Sequence, residues 1–235
     1  MELLKIKAYQ LFANYRKPMS FNFWDSYPLP PLSTVRGWFH TVVEAKDYIP
    51  MSMSIQGKFD SVVFDLQTVI KFNRTDRAKK GSTILEGFNK ALTKSPTYVA
   101  NIFNVNLTIY IKAPKEYLKT FKENVLKKEY PSLGRREDLL RVDFVDFVEL
   151  QKEEILHFKP YRITEGIYLN KSTADNVGIT GINYRMNFNY DKKANLRYFK
   201  KKDIVYVDSG YIDKGEFLFD KEEGRIVDLI GDEDE

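Results

Sequence analysis

The chain contains no cysteine. That excludes disulfides, thiolate zinc sites and a cysteine nucleophile together. Its two histidines, His40 and His157, are too few for a multi-histidine metal centre, so no metal and no cofactor are expected. No stretch approaches the ~20 consecutive apolar residues of a membrane-spanning helix. The N-terminus, Met1-Glu2-Leu3-Leu4-Lys5-Ile6-Lys7, alternates apolar and charged residues where a secretory leader is continuously apolar. A cytoplasmic location and no membrane partner follow as expectations. A phosphate-binding glycine-rich loop, a metal-spaced carboxylate cluster and a nucleophile elbow are also missing.

What is present is a chain of 235 residues, 43% hydrophobic and 30% charged, which is ample for a packed core. Seventeen Phe and fifteen Tyr can serve that core or a base-stacking surface. The net charge of +4 conceals an asymmetry. Residues 213–235 carry three basic and ten acidic side chains, and the first 212 carry 34 basic against 23 acidic. A basic body with an acidic tail points to a polyanionic partner or to a solvated basic surface; charge alone leaves both open.

Hydrophobic periodicity orders the elements. Leu4, Ile6 and Ala8 alternate with Lys5, Lys7 and Tyr9, the period of a half-buried strand. After Tyr27-Pro28-Leu29-Pro30-Pro31-Leu32, the spacing of Val35, Trp38, Phe39, Val42 and Val43 predicts a helix over 33–46 with Ser33 as its N-cap. Alternation predicts a second strand at about 58–72 and a third at about 101–112. Pro114 opens a second helix that carries Tyr117, Leu118, Phe121, Val125 and Leu126, and a fourth strand follows at 142–150. Strand, helix, strand, strand, helix, strand is the order of an α+β, ferredoxin-like domain over residues 1–150. Residues 73–97 are too long for a plain hairpin loop and read as an insertion. Residues 151–235 read as a β-rich C-terminal extension with an acidic tail, strands being expected at Asp203–Val207 and Glu216–Phe219.

Several segments have the composition of an anion site. Arg36 sits near the first turn of a helix that has no acid there, and a helix N-terminus favours negative charge. A docked phosphate would reconcile the two; an arginine reaching into solvent would as well. Gly37 inside the helix suggests a close backbone approach. The insertion holds Arg74, Arg77, Lys79, Lys80, Lys90 and Lys94 against Asp76 and Glu86, as suits either a backbone-gripping hairpin or a solvated loop. Phe88 and Tyr98 are candidates to stack on bases. Arg135 and Arg136 can clamp phosphates or be absorbed by Glu137 and Asp138. Lys200-Lys201-Lys202 reads as a solvated turn. Catalysis has one weak candidate, His40, four residues after Arg36, which would make a metal-independent endoribonuclease the alternative to simple binding.

Ala13-Asn14-Tyr15-Arg16-Lys17-Pro18, Tyr27-Pro28-Leu29-Pro30-Pro31-Leu32-Ser33-Thr34-Val35-Arg36-Gly37 and Pro131-Ser132-Leu133-Gly134-Arg135-Arg136-Glu137-Asp138 resemble, in order and spacing, the CRISPR-associated protein 5 family. The likeness covers roughly residues 1–150 and is closest to type I-B members. It implies a ferredoxin-like RAMP subunit of Cascade, with residues 73–97 as a β-hairpin thumb. Such a subunit caps the 5′ handle of the CRISPR RNA, bridges the backbone subunit and the large PAM-reading subunit, and meets target DNA through the complex. Carried over residue by residue, Arg16, Ser33, Thr34, Arg36 and Gly37 match motif positions near the handle, whereas Arg135 and Arg136 are either RNA-binding or structural. Arg74, Arg77, Lys79 and Lys80 are RNA-binding candidates from the basic insertion, where the family's thumb projects. The catalytic set of type I-C members does not align, and Val177-Gly178-Ile179-Thr180-Gly181 only faintly echoes the RAMP glycine-rich loop.

Overall fold

The computed structural model describes residues 2–20, 22–72, 83–85, 90–127, 131–194 and 196–232. The first part of the chain runs β1 (Glu2–Ala13), β2 (Phe23–Trp24), α1 (Leu32–Val42), β3 (Ser52–Lys58), β4 (Ser61–Phe72), β5 (Thr83–Leu85), β6 (Lys90–Lys112), α2 (Lys115–Asn124) and β7 (Arg141–Glu149). The rest runs β8 (Gln151–Ile155), β9 (Tyr161–Ile163), β10 (Gly166–Asn170), α3 (Lys171–Val177), β11 (Ile182–Lys193), β12 (Leu196–Val207), β13 (Gly210–Ile212), β14 (Gly215–Asp220), β15 (Arg225–Val227) and β16 (Ile230–Gly231). The architecture is α+β and mostly sheet.

One sheet dominates, with strands in the order β11-β12-β10-β3-β6-β1-β7. Within it β3, β6, β1 and β7 are antiparallel neighbours. The helices α1 and α2 close one face. Leu32, Val35, Phe39 and Val42 meet Leu4, Ile6, Ile55 and Ile109 in a single apolar cluster. Phe121 of α2 stacks on Phe39 at 5.1 Å and meets Trp38 edge-on at 5.0 Å, which locks the two helices together.

The other face is not left to solvent. A three-stranded sheet, β15-β14-β8, lies over it and buries Leu3, Tyr110, Leu150 and Val227. Lys5, on the polar side of the β1 alternation, is therefore only 1% exposed. Its ammonium lies 2.7 Å from Asp220 and 3.0 Å from Glu223, and Tyr110 donates its hydroxyl to Asp220 at 2.8 Å. Acidic residues of the C-terminal region are thus folded in as counter-ions for a buried lysine.

The strand expected at about 58–72 is present as β4, and a shorter strand that the sequence did not announce precedes it and takes the place beside β6 in the main strand order. That shorter strand is Ser52–Lys58, whose apolar members Met53 and Ile55 form too short an alternation to stand out in the sequence. The stronger alternation of 61–72 belongs to β4, which pairs with β6 from Ser61↔Phe103 to Phe72↔Leu92. At ~3.4 Å per residue this two-stranded ribbon spans roughly 40 Å. Val62, Phe64, Leu66, Ile70 and Tyr98 remain exposed on it, so an apolar pattern that reads as core is here a surface.

Candidate nucleic-acid interface

Two of the motif segments, over a hundred residues apart in sequence, meet in one buried knot. Asp138 accepts hydrogen bonds from the Asn14 amide at 3.0 Å and the Arg135 amide at 2.8 Å, while its other oxygen lies 2.7 Å from Arg135 Nη2. Asn14 Nδ2 donates to the carbonyls of Trp24 at 3.1 Å and Ala100 at 2.7 Å. Gln10 Nε2 donates to the carbonyls of Leu133 and Asp138, and the Tyr15 hydroxyl closes the ring by donating to Gln10 Oε1 at 2.6 Å. Burial, with the Asp138 charge beside it, raises the Tyr15 phenol well above its ordinary value, so it stays a donor. Gly134 has φ of +114°, and a Cβ there would lie 2.7 Å from Asp138 Oδ2; the glycine is what lets the turn close on the carboxylate.

The knot sits at the root of the β4–β6 ribbon. Arg135 reaches from Asp138 to Asn101 Oδ1 of β6 at 2.9 Å. Trp24 of β2 runs parallel to Val99 of β6, and the Arg16 guanidinium lies 4.2 Å above the Trp24 ring while donating to the Ser20 carbonyl at 2.6 Å. Arg16 and Arg136 are exposed, and Arg135 is not. The sequence left Arg135 between phosphate clamp and local ion pair; its guanidinium is occupied within the chain, where it fixes the ribbon's root. Arg74, Arg77, Lys79 and Lys80 lie outside the described residues.

The start of α1 differs from expectation in three respects. Its N-cap is Pro31, with no side-chain cap bond, and Ser33 and Thr34 are half-buried in the first turn. Ser33 comes two residues too late to cap, because the helix already begins at Leu32 after two prolines that preset φ. Gly37 is exposed, and a Cβ there would meet nothing within 4 Å, so no close approach within the chain explains it. Arg36 is buried, neither reaching into solvent nor standing at an open helix end. Its guanidinium lies 5.5 Å from the rings of Tyr48 and Phe188 and 5.9 Å from that of Tyr190, and its Nη1 has no hydrogen-bond partner among the described residues.

His40 is committed to the backbone at both nitrogens. Nδ1 is 2.9 Å from the Arg36 carbonyl, and Nε2 accepts from the Ile49 amide at 3.1 Å. That pairing requires the neutral Nδ1–H tautomer, and burial lowers the ring's pKa in agreement. The histidine ties α1 to the loop before β3.

Tertiary structure adds Gln10, which no sequence motif singled out, and gives Asn14 and Tyr15 of the first motif segment long-range partners that no local pattern reveals. Lys200-Lys201-Lys202 lies within β12, in a hairpin with β11, and is no turn. The stretch Leu196-Arg197-Tyr198-Phe199-Lys200-Lys201-Lys202 has no clean apolar–polar alternation, so its pairing with β11 was not legible locally.

No family model matches the sequence, and no curated protein does. Among solved structures, a chain of a CRISPR RNA-guided surveillance complex aligns with a TM-score of 0.53 and 11% identity, over 92% of this chain and 91% of that one. The two chains share a fold over nearly their whole lengths. A CRISPR protein from Archaeoglobus fulgidus aligns with a TM-score of 0.49 and 11% identity, over 99% and 100% of the two chains. A further Cas protein aligns with a TM-score of 0.45 and 11% identity, over 90% and 95%.

Proposed function

We propose that this chain is a non-catalytic, RNA-holding subunit of a cytoplasmic type I CRISPR interference complex. In this reading it is a type I-B-like member of the CRISPR-associated protein 5 family and caps the 5′ handle of the CRISPR RNA. It bridges the backbone and large PAM-reading subunits, and meets target DNA through them. The observation that carries this is the knot. Segments 13–18 and 131–138, which resemble that family by sequence, are the ones that converge on Asp138 at the root of a long ribbon. The surveillance-complex likeness supports it at the level of fold. In this reading β1, β3, β6 and β7 with α1 and α2 make the ferredoxin-like unit, and the β4–β6 ribbon belongs to the thumb. Exposed Arg16 and Arg136 flank the ribbon's root with cationic groups suited to phosphate oxygens.

Fluorescence anisotropy with the host's repeat-derived handle RNA tests the assignment. Neutralising Arg16 and Arg136 together with Arg74, Arg77, Lys79 and Lys80 should weaken binding at least tenfold and flatten its salt dependence. Handle affinity that survives all six changes overturns it. Incubating wild-type protein with labelled repeat RNA in EDTA should leave the RNA intact; site-specific cleavage lost in His40→Ala would establish an endoribonuclease instead.

A further inference from the structure

The β11–β12 hairpin carries a second concentration of charge, apart from the ribbon. Between Ile182 and Lys202 stand seven basic residues and one acid, Asp191. Residues 191–194 and 196–201 are exposed wherever they are described, so the outer half of the hairpin stands clear of the core. Its register sorts the side chains onto two faces. Tyr190 pairs with Phe199 and Lys192 with Arg197, and direct cross-strand partners share a face. Lys201, two residues beyond Phe199, falls on the same side. Asp191 pairs with Tyr198 on the opposite face, where its carboxylate is taken up by Lys200 at 3.0 Å. From Lys192 to Lys201 this face is therefore cationic and aromatic, and its one carboxylate, Asp203 at the inner end, is paired across the strands with Arg185 at 3.7 Å.

That face is also held in shape. Arg197 lies 4.7 Å over the Tyr190 ring, and Tyr190 meets Phe199 edge-on at 5.9 Å. At the hairpin's base, Phe188 is buried and takes the Arg36 guanidinium of α1 at 5.5 Å. Alternate residues along a strand are ~7 Å apart, close to the phosphate repeat of an extended single strand. Phe199, 47% exposed, offers a ring to a base between the flanking cations. An acidic protein surface would satisfy the charges, but has no comparable use for an exposed ring set between them.

We infer that this face of the β11–β12 hairpin is a second binding surface for single-stranded nucleic acid, with Lys192, Arg197 and Lys201 on phosphates and Phe199 stacking on a base. The inference rests on the RNA-holding reading but uses none of its residues. The test measures binding of a fluorescent oligouridylate and an oligothymidylate across a salt series, alongside the handle RNA. The proteins are wild type, the triple variant Lys192→Ser/Arg197→Ser/Lys201→Ser, and Phe199→Ala, each checked for folding by circular dichroism. The triple variant should lose at least tenfold in affinity for generic strands and about 2 from the magnitude of its log–log salt slope. Phe199→Ala should lose about tenfold with an unchanged slope. A larger loss on oligouridylate than on oligothymidylate assigns the surface to RNA, the reverse assigns it to a displaced DNA strand, and equal losses assign it to either strand. Wild-type binding in folded variants overturns the inference and leaves the handle reading standing. A wild-type protein that binds no strand at all overturns both. Unchanged strand binding with loss of a complex subunit on co-purification would make the face a protein contact and likewise overturn the inference.

Discussion

Asp138 is nearly dry, and its partners leave it no alternative geometry. Removing one member of a buried, hydrogen-bonded ion pair strands the other, at a cost of about 3–5 kcal/mol. Asp138→Ala should lower urea stability by that amount, and Gly134→Ala by about 2 kcal/mol or more through positive φ and contact with the carboxylate. Asp228 behaves oppositely to an ordinary paired carboxylate. Burial pushes its pKa from 3.8 up to about 6, against the Asn170 amide, the Asn170 side chain and the Thr173 hydroxyl, which donate to it. With the folded pKa above the unfolded one, its contribution to stability is full below pH 4 and is lost as pH rises through 6. Relative to Asp228→Asn, wild type should lose about 3 kcal/mol between pH 4 and pH 7.5 in urea melts. A difference that stays flat over that range would reject the assignment.

At the level of elements, two hairpins share a core and are rooted differently. The β4–β6 ribbon is fixed by a polar knot, with Arg135 joining Asp138 to Asn101. The β11–β12 hairpin is fixed by an arginine among aromatic rings, each such contact being worth about 0.5–2 kcal/mol. Arg36→Ala should therefore act at a distance from its own helix. Amide exchange in β11 around Phe188 and Tyr190 should quicken about tenfold while that of β1 and β6 stays as in wild type. Uniform acceleration would mean that Arg36 supports the whole core instead. Arg36→Met, which fills much of the same volume without charge, separates packing from the cation's attraction to the rings.

Across the whole molecule, the N-terminal strand and the C-terminal sheet are joined by the Lys5–Asp220 pair. Burial alone would raise the Asp220 pKa, but hydrogen bonds from Lys5 and Tyr110 outweigh it and hold the carboxylate below its ordinary range. Its stabilising effect is accordingly present above about pH 4 and fades on acidification. A double-mutant cycle with Lys5→Met and Asp220→Asn should give a loss of about 3–5 kcal/mol for Lys5→Met, which strands the buried carboxylate, a smaller loss for Asp220→Asn, where Lys5 keeps Glu223, and a loss for the pair below the sum of the two. Simple additivity in equilibrium denaturation would show that the two groups act separately.

Periodicity along the chain determined much of this protein unaided. The apolar stripe of Val35, Phe39 and Val42, the alternation of Leu4, Ile6 and Ala8, and the helix opened by Pro114 all appear close to where they read. The basic composition of 1–212 and the resemblance in segments 13–18 and 131–138 likewise needed no coordinates. Local pattern could not say what covers a face. The alternation of Val62, Phe64, Leu66 and Ile70 is that of a core strand, yet these residues are exposed, while Lys5 and Arg36 look like surface cations and are buried. The reason is physical: period reports how side chains alternate, whereas burial depends on which distant segment packs against them. Whether a cation meets solvent, a carboxylate or a ring was decided only when β14 crossed β1, β11 reached α1, and Asp138 closed on Asn14.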